Sequence, residues 1–350
     1  MNLKSLVILS ALATTLSAQR TWIVDAGGGG NFKDIQAAFS AARPGDTVLV
    51  RKGSYNPAAT SKGLRLLGEP GAFISKYPPA PDLISISGLP ANQTFVMKGF
   101  MLENLNAGRQ AALRLTGNLG RVHLESLDLR GTPLSNRGSP ALRIENCREV
   151  SVTGCTLKGE PALLGINASV SVVNCQLLGQ NAFDFRGMYS WRSYYGIEAT
   201  KSTLFVSWST VKGGNGSTRA FNLLWQASPA ALLSECKTTI SGDQSSRFIA
   251  GLPPPRGVAM PAILTSGGTL LLDPSVKITP SGNAPPIRGT ARITKRRLPA
   301  LKAGARGSTV TAELYSRSGS LFALYASLPA DPLPLPIGES WLDLRFLVLA

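Results

Sequence analysis

The chain has 350 residues, 43% of them apolar, and a formal net charge of +16, from 36 Lys and Arg against 20 Asp and Glu. That is ample sequence for a core, and the plentiful glycine and proline exclude a bundle of long charged helices. A single histidine and four cysteines, none in a Cys-x-x-Cys spacing, exclude a zinc centre, so no metal and no cofactor are expected.

Residues 1–18 read as a secretion signal. Lys4 supplies the positive region, Leu6 to Leu16 the apolar run, and Leu16-Ser17-Ala18 a cleavage site before Gln19. The run is too short to span a bilayer, and no later segment qualifies as a transmembrane helix. The mature chain is therefore expected to be secreted or held at the cell surface.

The stretch TWIVDAGGGGNFKDIQAAFSAARPGDTVLVRKGSY runs from Thr21 to Tyr55. Ile35, Phe39 and Ala42 share one face of a short helix over Ile35–Ala42, which suits a cap laid across the exposed end of a solenoid. Pro44-Gly45-Asp46 then turns the chain into the strand Thr47–Val50. The residues Val24-Asp25, Gly27 to Gly30, Phe32, Ile35-Gln36, Ala38, Ala42, Pro44-Gly45-Asp46, Val48, Val50, Gly53 and Tyr55 resemble the opening signature of the pectin-lyase-like right-handed β-helix superfamily. The resemblance implies a right-handed parallel β-helix over residues 19–290. It leaves function open, because that fold hosts lyases, glycosidases, esterases, epimerases and non-catalytic adhesins.

The middle of the chain carries a ten-residue phrase. FVMKGFMLEN (Phe95–Asn104), VHLESLDLRG (Val122–Gly131), VSVTGCTLKG (Val150–Gly159), VSVVNCQLLG (Val170–Gly179) and LFVSWSTVKG (Leu204–Gly213) align without a gap, at intervals of 27, 28, 20 and 34 residues. Positions one, three, six and eight are almost always apolar: a strand alternation, a bend, and the alternation resumed. A further strand precedes the phrase, as in AALRL (Ala111–Leu115), ALRIE (Ala141–Glu145), LLGIN (Leu163–Asn167) and YGIEA (Tyr195–Ala199). Such periods denote stacked units that cannot bury their apolar faces alone. Roughly eight to ten coils are expected, wound right-handed as parallel crossovers are.

Cys155 and Cys175 share phrase position six, so they should stack inward on neighbouring coils, either as a ladder of thiols or as a disulfide between coils. Cys147 and Cys236 fall near turns and cannot be paired from sequence. His123 occupies position two, which alternation points outward. Catalytic residues of the resembled families do not carry over. Pectate-lyase-like sites gather aspartates around calcium, whereas Asp82, Asp128, Asp184, Asp243 and Asp273 fall on separate segments. Polygalacturonase-like sites need paired Asp residues with a nearby His, and His123 has no such company. Phe183-Asp184-Phe185-Arg186-Gly187 is one residue short of the esterase-like Asp-Phe-x-x-Gly element and lacks its flanking glutamines, so Asp184 is the lone catalytic candidate.

Two surface features suit a ligand. Position nine holds Arg130, Lys158 and Lys212, and the preceding strand places Arg114 and Arg143 in equivalent positions, so stacking aligns cations in rows. Such rows call for solvent, counter-ions or an acidic ligand, and for an exported cation an anionic polysaccharide is the natural partner. Export and the absence of any recognition motif argue against nucleic acid. The longest interval contains FDFRGMYSWRSYY (Phe183–Tyr195). Its Phe185, Tyr189, Trp191 and Tyr194 suit stacking on sugar rings, and Arg186 and Arg192 suit carboxylates or sulfates; the other reading is a loop that packs its own rings.

Residues 291–307, with Lys295-Arg296-Arg297, read as a linker, and 308–350 as a short β segment resembling part of a β-sandwich. Three functions fit: a secreted, non-catalytic β-helix binding carbohydrate, with acidic polysaccharide first; a carbohydrate-active enzyme, lyase or pectinesterase-like, with a divergent site; or a structural or adhesive repeat protein.

Overall fold

The computed structural model describes residues 19–76, 82–104, 110–131, 139–185, 188–190, 193–218, 224–242 and 244–296 of one compact unit. In a second unit it describes 300–306, 309–315, 325–326, 329–335, 338–342 and 348–349. The signal segment 1–18 lies outside the described residues.

Period-two alternation with bends is what the first unit builds: a right-handed parallel β-helix, all-β apart from one helix. Three parallel sheets run its length, sheet A of eleven strands and sheets B and C of nine each. A coil visits A, then B, then C, as in Glu149–Thr153, Thr156–Gly159 and Leu163–Ile166. Nine such coils stack, within the eight to ten expected, and each carries three strands because the phrase holds two.

The phrases are in register: Phe95, Val122, Val150, Val170 and Leu204 are successive partners in sheet A. Val150, Val152, Cys155, Leu157, Val170, Val172, Cys175 and Leu177 all point into the core, none more than 3% exposed. The bend between A and B is a single left-handed residue at position five: Gly99, Ser126, Gly154, Asn174 and Trp208, with φ between 45° and 81°. A second bend, between C and A, repeats the device at Gly88, Gly117, Asn146, Asn167, Lys201, Glu235 and Gly267. Glycine and asparagine visit this region readily, other residues at a cost of roughly 1–2 kcal/mol.

The cysteines follow from these bends. Each sits immediately after a left-handed residue, where its thiol bonds the carbonyl two residues back: Cys147 to Glu145 (3.4 Å), Cys155 to Thr153 (3.3 Å), Cys175 to Val173 (3.2 Å) and Cys236 to Ser234 (3.3 Å). Ser202 and Ser209 do the same on other coils, at 2.9 and 2.7 Å. The backbone N–H of one coil then donates to the side chain on the next, Cys155 N to Cys175 Sγ (3.3 Å) and Cys175 N to Ser209 Oγ (3.0 Å). This side-chain ladder serves backbone groups that the bend takes out of the sheet. All four thiols are free and buried. Burial pushes Cys147 and Cys236 up, and the hydrogen bond with Cys155 together with burial pushes Cys175 up, so these thiols stay protonated. Ala168 and Ser202 separate Cys147 from Cys236 along the stack, so the two do not meet.

At the N-terminal end, Ile35–Ala41 is helical, and Ala42 is its C-cap rather than its last residue. Asp34 caps the start by accepting from Gln36 N (2.7 Å) and Ala37 N (3.3 Å). Lys62 closes the other end, donating to the carbonyls of Phe39 (2.8 Å), Ser40 (3.0 Å) and Ala42 (2.7 Å). Ile35, Ala38 and Phe39 are buried, and Phe39 meets Phe95 edge-on at 6.5 Å, so the helix does cover the first coils. The Pro44-Gly45-Asp46 turn works through its acid: Asp46 accepts from Arg20 N (2.9 Å), Trp22 Nε1 (3.0 Å) and Arg43 N (2.9 Å).

Residues 291–307, read as a linker, are strand on both sides of the unit boundary. Arg292–Lys295 pairs with Thr269–Leu272 as the last strand of sheet A, and Ala300–Arg306 pairs with Thr309–Tyr315. The alternation there lies in short segments with no core-facing run. The second unit, Arg297–Ala350, holds antiparallel pairs of which two are long, 300–306 with 309–315 and 329–335 with 338–342.

Candidate functional site

Most A/B and C/A corners are turned by one left-handed residue and its successor, and even the longer ones there, residues 88–93 and 242–246, are short connections. All long insertions therefore leave at the B/C corner, the longest over residues 180–196, 213–230 and 250–262. Two contain antiparallel hairpins, Phe183–Phe185 with Met188–Ser190 and Ser217–Thr218 with Leu224–Trp225.

Their roots are fixed. Tyr194 N donates to Gln180 O (2.9 Å), Gly214 N to Tyr194 O (2.8 Å) and Gly251 N to Ser228 O (2.9 Å). The buried Ser193 and Ser228 hydroxyls lie 2.8 Å apart, and Ser228 Oγ is 2.7 Å from the Ser193 backbone carbonyl, to which it donates. Asn215 N donates to Asn181 Oδ1 (2.8 Å) and Leu252 N to Asn215 Oδ1 (2.9 Å), extending the stack beyond the sheets. Gly214 and Gly251 are required there, since a Cβ on either would strike the carbonyl of Gln180 or Gly214.

Of the residues expected to bind ligand, Phe185 and Tyr189 lie on the two strands of the first hairpin, as does the catalytic candidate Asp184, which pairs with Tyr189. Tyr194 is half-buried at the hairpin's root. Arg186, Trp191 and Arg192 lie outside the described residues. Arg114 and Arg143 are in-register neighbours on the outer face of sheet C, as expected, but they are not a bare basic row. Arg114 meets Asp82 (3.6 Å) and Glu145 (3.1 Å), and Arg143 meets Glu145 (2.6 Å). Burial works against the Glu145 charge, yet the hydrogen bonds of the two arginines outweigh it and hold the carboxyl below its ordinary value.

The uncompensated cations are on sheet B. Strands Thr156–Gly159, Gln176–Gly179, Thr210–Lys212, Arg247–Ile249 and Lys277–Thr279 are successive neighbours and carry Lys158, Lys212, Arg247 and Lys277 without one carboxylate. Among the described residues no ion pair involves them. The earlier coils differ, since Arg130 is bound to Asp128 at 2.7 Å and flanked by Glu103. Arg247 and Lys277 escaped notice in the sequence because their strands, RFI and KIT, are three residues long and show no periodicity.

Sheet C contributes one more group. Along its outer face Arg143, Leu164, Glu198, Leu232, Leu264 and Arg288 are successive partners. Glu198 thus sits between two leucines, and burial pushes its carboxyl above its ordinary value. Its strand, YGIEA, was legible, but the leucines beside it come from other coils. His123, expected to be solvated, is half-buried on sheet A with Nδ1 2.6 Å from Ser151 Oγ. Among the described residues no three His, Cys, Asp or Glu side chains converge as a metal site, and no helix is long and apolar enough to cross a membrane.

No protein-family description matches the chain, and no curated protein matches it by sequence. Solved structures do. A pectin methylesterase from Aspergillus niger is 14% identical with a TM-score of 0.36, covering 80% of this chain and 86% of that one. The pectin methylesterase from carrot is 12% identical with a TM-score of 0.33, covering 78% and 82%. The mannuronan C-5 epimerase AlgE4 A-module of Azotobacter vinelandii is 12% identical with a TM-score of 0.32, covering 75% and 86%. At these identities the likeness is one of fold alone.

Proposed function

We propose that this is an exported β-helix that binds an acidic polysaccharide along the B/C corner, without acting on it chemically. The reading rests on one observation: four cations on five successive strands of sheet B with no carboxylate among them, beside the three longest insertions. Arg247 and Lys277 are direct partners on strands about 4.8 Å apart, and Lys158 and Lys212 lie two strands apart across Leu178, so like charges gather on one face and a polyanion relieves their repulsion. The aromatic insertion Phe183–Tyr195 supplies rings for the apolar faces of sugars, and Arg186 and Arg192 add charge to it. Residues 1–18 supply export.

Binding of polygalacturonate and alginate, measured by calorimetry across a salt series, tests the reading. Affinity should fall steeply as salt rises, because exposed charges are screened over about 10 Å at 0.1 M. The double variant Lys212→Glu/Arg247→Glu should lose about tenfold or more and flatten the salt dependence. Equal binding of acidic and neutral polymers by parent and variant would discard the proposal.

A second reading, a carbohydrate-active enzyme, has one observation in its favour. Glu145 is held ionised by two arginines, while Glu198, on the same face, is pushed toward its neutral form. Such divergence between two carboxyls on one face, here two strands apart in the register, is how proton donors are made. Release of reducing ends or unsaturated products that vanishes in Glu198→Gln would select this reading instead.

A further inference from the structure

A groove of about 490 Å³ runs along the A/B corner of the earlier coils, away from the insertions. It exists because the bend position there carries almost no side chain: Gly99, Ser126 and Gly154 form its floor, with Gly68 beside them. On later coils Asn174 and Trp208 take the same bend position, and neither lines the groove. One wall is apolar. Phe73 and Met101 are adjacent partners on the outer face of sheet B, both half-buried. The next partner in that row is Asp128, whose carboxylate accepts from Arg130 Nε (3.1 Å) and Nη2 (2.7 Å).

We infer that this groove binds a single uncharged sugar ring of a neutral glycan. A pyranose has an apolar C–H face and an equatorial rim of hydroxyls. Phe73 and Met101 offer the flat surface for the first, at contact distances where aromatic rings give geometry as well as area. The Asp128–Arg130 pair answers the second, since the carboxylate keeps free lone pairs and the guanidinium keeps free N–H groups. Because the pair neutralises itself, the wall discriminates against charge. An anionic sugar would face the Asp128 oxygens that line the groove, while Arg130, bound to that carboxylate just outside the lining, leaves no net charge to draw in a cation. The volume is that of a small-molecule site with few polar groups. The inference is independent of the acidic-polysaccharide reading and concerns a different corner of the helix.

The test uses the full chain with its five methionines labelled at the methyl carbon. Maltohexaose, cellohexaose and chitohexaose are titrated separately, with a galacturonate hexamer as the charged control. The Met101 methyl signal should move with at least one neutral oligosaccharide, at an affinity unchanged by salt. Phe73→Ala should weaken that binding about tenfold. Asp128→Asn, which preserves shape, should weaken it by a similar factor while the methyl spectrum reports an intact fold. Lys212→Glu should leave it untouched, which separates this site from the basic face. A Met101 signal that no neutral oligosaccharide moves, or one that moves with equal affinity in Phe73→Ala, overturns the inference.

Discussion

Single buried carboxyls show how this chain spends its few acids. Asp46 is 4% exposed, and burial alone would raise its pKa. Three N–H donors, from Arg43, Arg20 and Trp22, more than offset this and lower it. A lowered folded pKa means stability that is present above the unfolded value of about 3.9 and is lost as pH falls through the folded value. Asp46→Asn should therefore cost about 1–2 kcal/mol at neutral pH, and the difference from the parent should close in urea titrations run at acid pH. Glu198 has the opposite sign. Its folded pKa is raised, so the folded state binds more protons and stability declines as pH climbs above the unfolded carboxyl value. Glu198→Gln should raise Tm at neutral pH and leave it unchanged in acid. Neither role was legible from the residue alone. Asp46 was readable as part of a turn but not as its hydrogen-bond hub, and the leucines flanking Glu198 come from other coils.

The corner is the informative element. Alternation in the ten-residue phrase gave the sheet A register and the inward set from Val150 to Leu177, because pattern and pleat share a period. The bend residue itself was opaque. Gly99, Ser126, Asn174 and Trp208 have nothing in common but a backbone angle. Nor could spacing show that Cys147, Cys155, Cys175, Cys236, Ser202 and Ser209 do one job. If they do, Cys175→Ser should be tolerated, whereas Cys175→Val should cost about 1–3 kcal/mol by stranding Cys155 N, Val173 O still accepting from Gly154 N. Chemical denaturation of the two variants side by side distinguishes a hydrogen-bond ladder from mere filling. At the other corner, Lys201 is exposed and left-handed at φ 51°. Lys201→Gly should gain about 0.5–1 kcal/mol, the relief of the bend exceeding the added freedom of the unfolded chain.

Across the whole molecule, charge was easier to count than to place. The excess of Lys and Arg announced a cation, and stacking placed Arg114 beside Arg143. Arg143 meets Glu145 two residues on, but the neutralisation of Arg114 by that same carboxylate joins residues 31 apart, which no local pattern displays. Net positive field accordingly concentrates on the later coils of sheet B, and raising ionic strength should raise the Tm of the parent there more than that of Lys212→Glu/Arg247→Glu. Salt screens like-charge repulsion in the former and finds less to screen in the latter.

Confining every long loop to one corner separates two kinds of change. A residue altered at the A/B or C/A bends is felt by both neighbouring coils, through the ladder that joins them. Length added at the B/C corner is felt mainly by what lies outside, because loop closure grows only slowly costlier with length. Recognition can thus be rewritten along that edge, one coil at a time, on a scaffold whose folding instructions stay untouched.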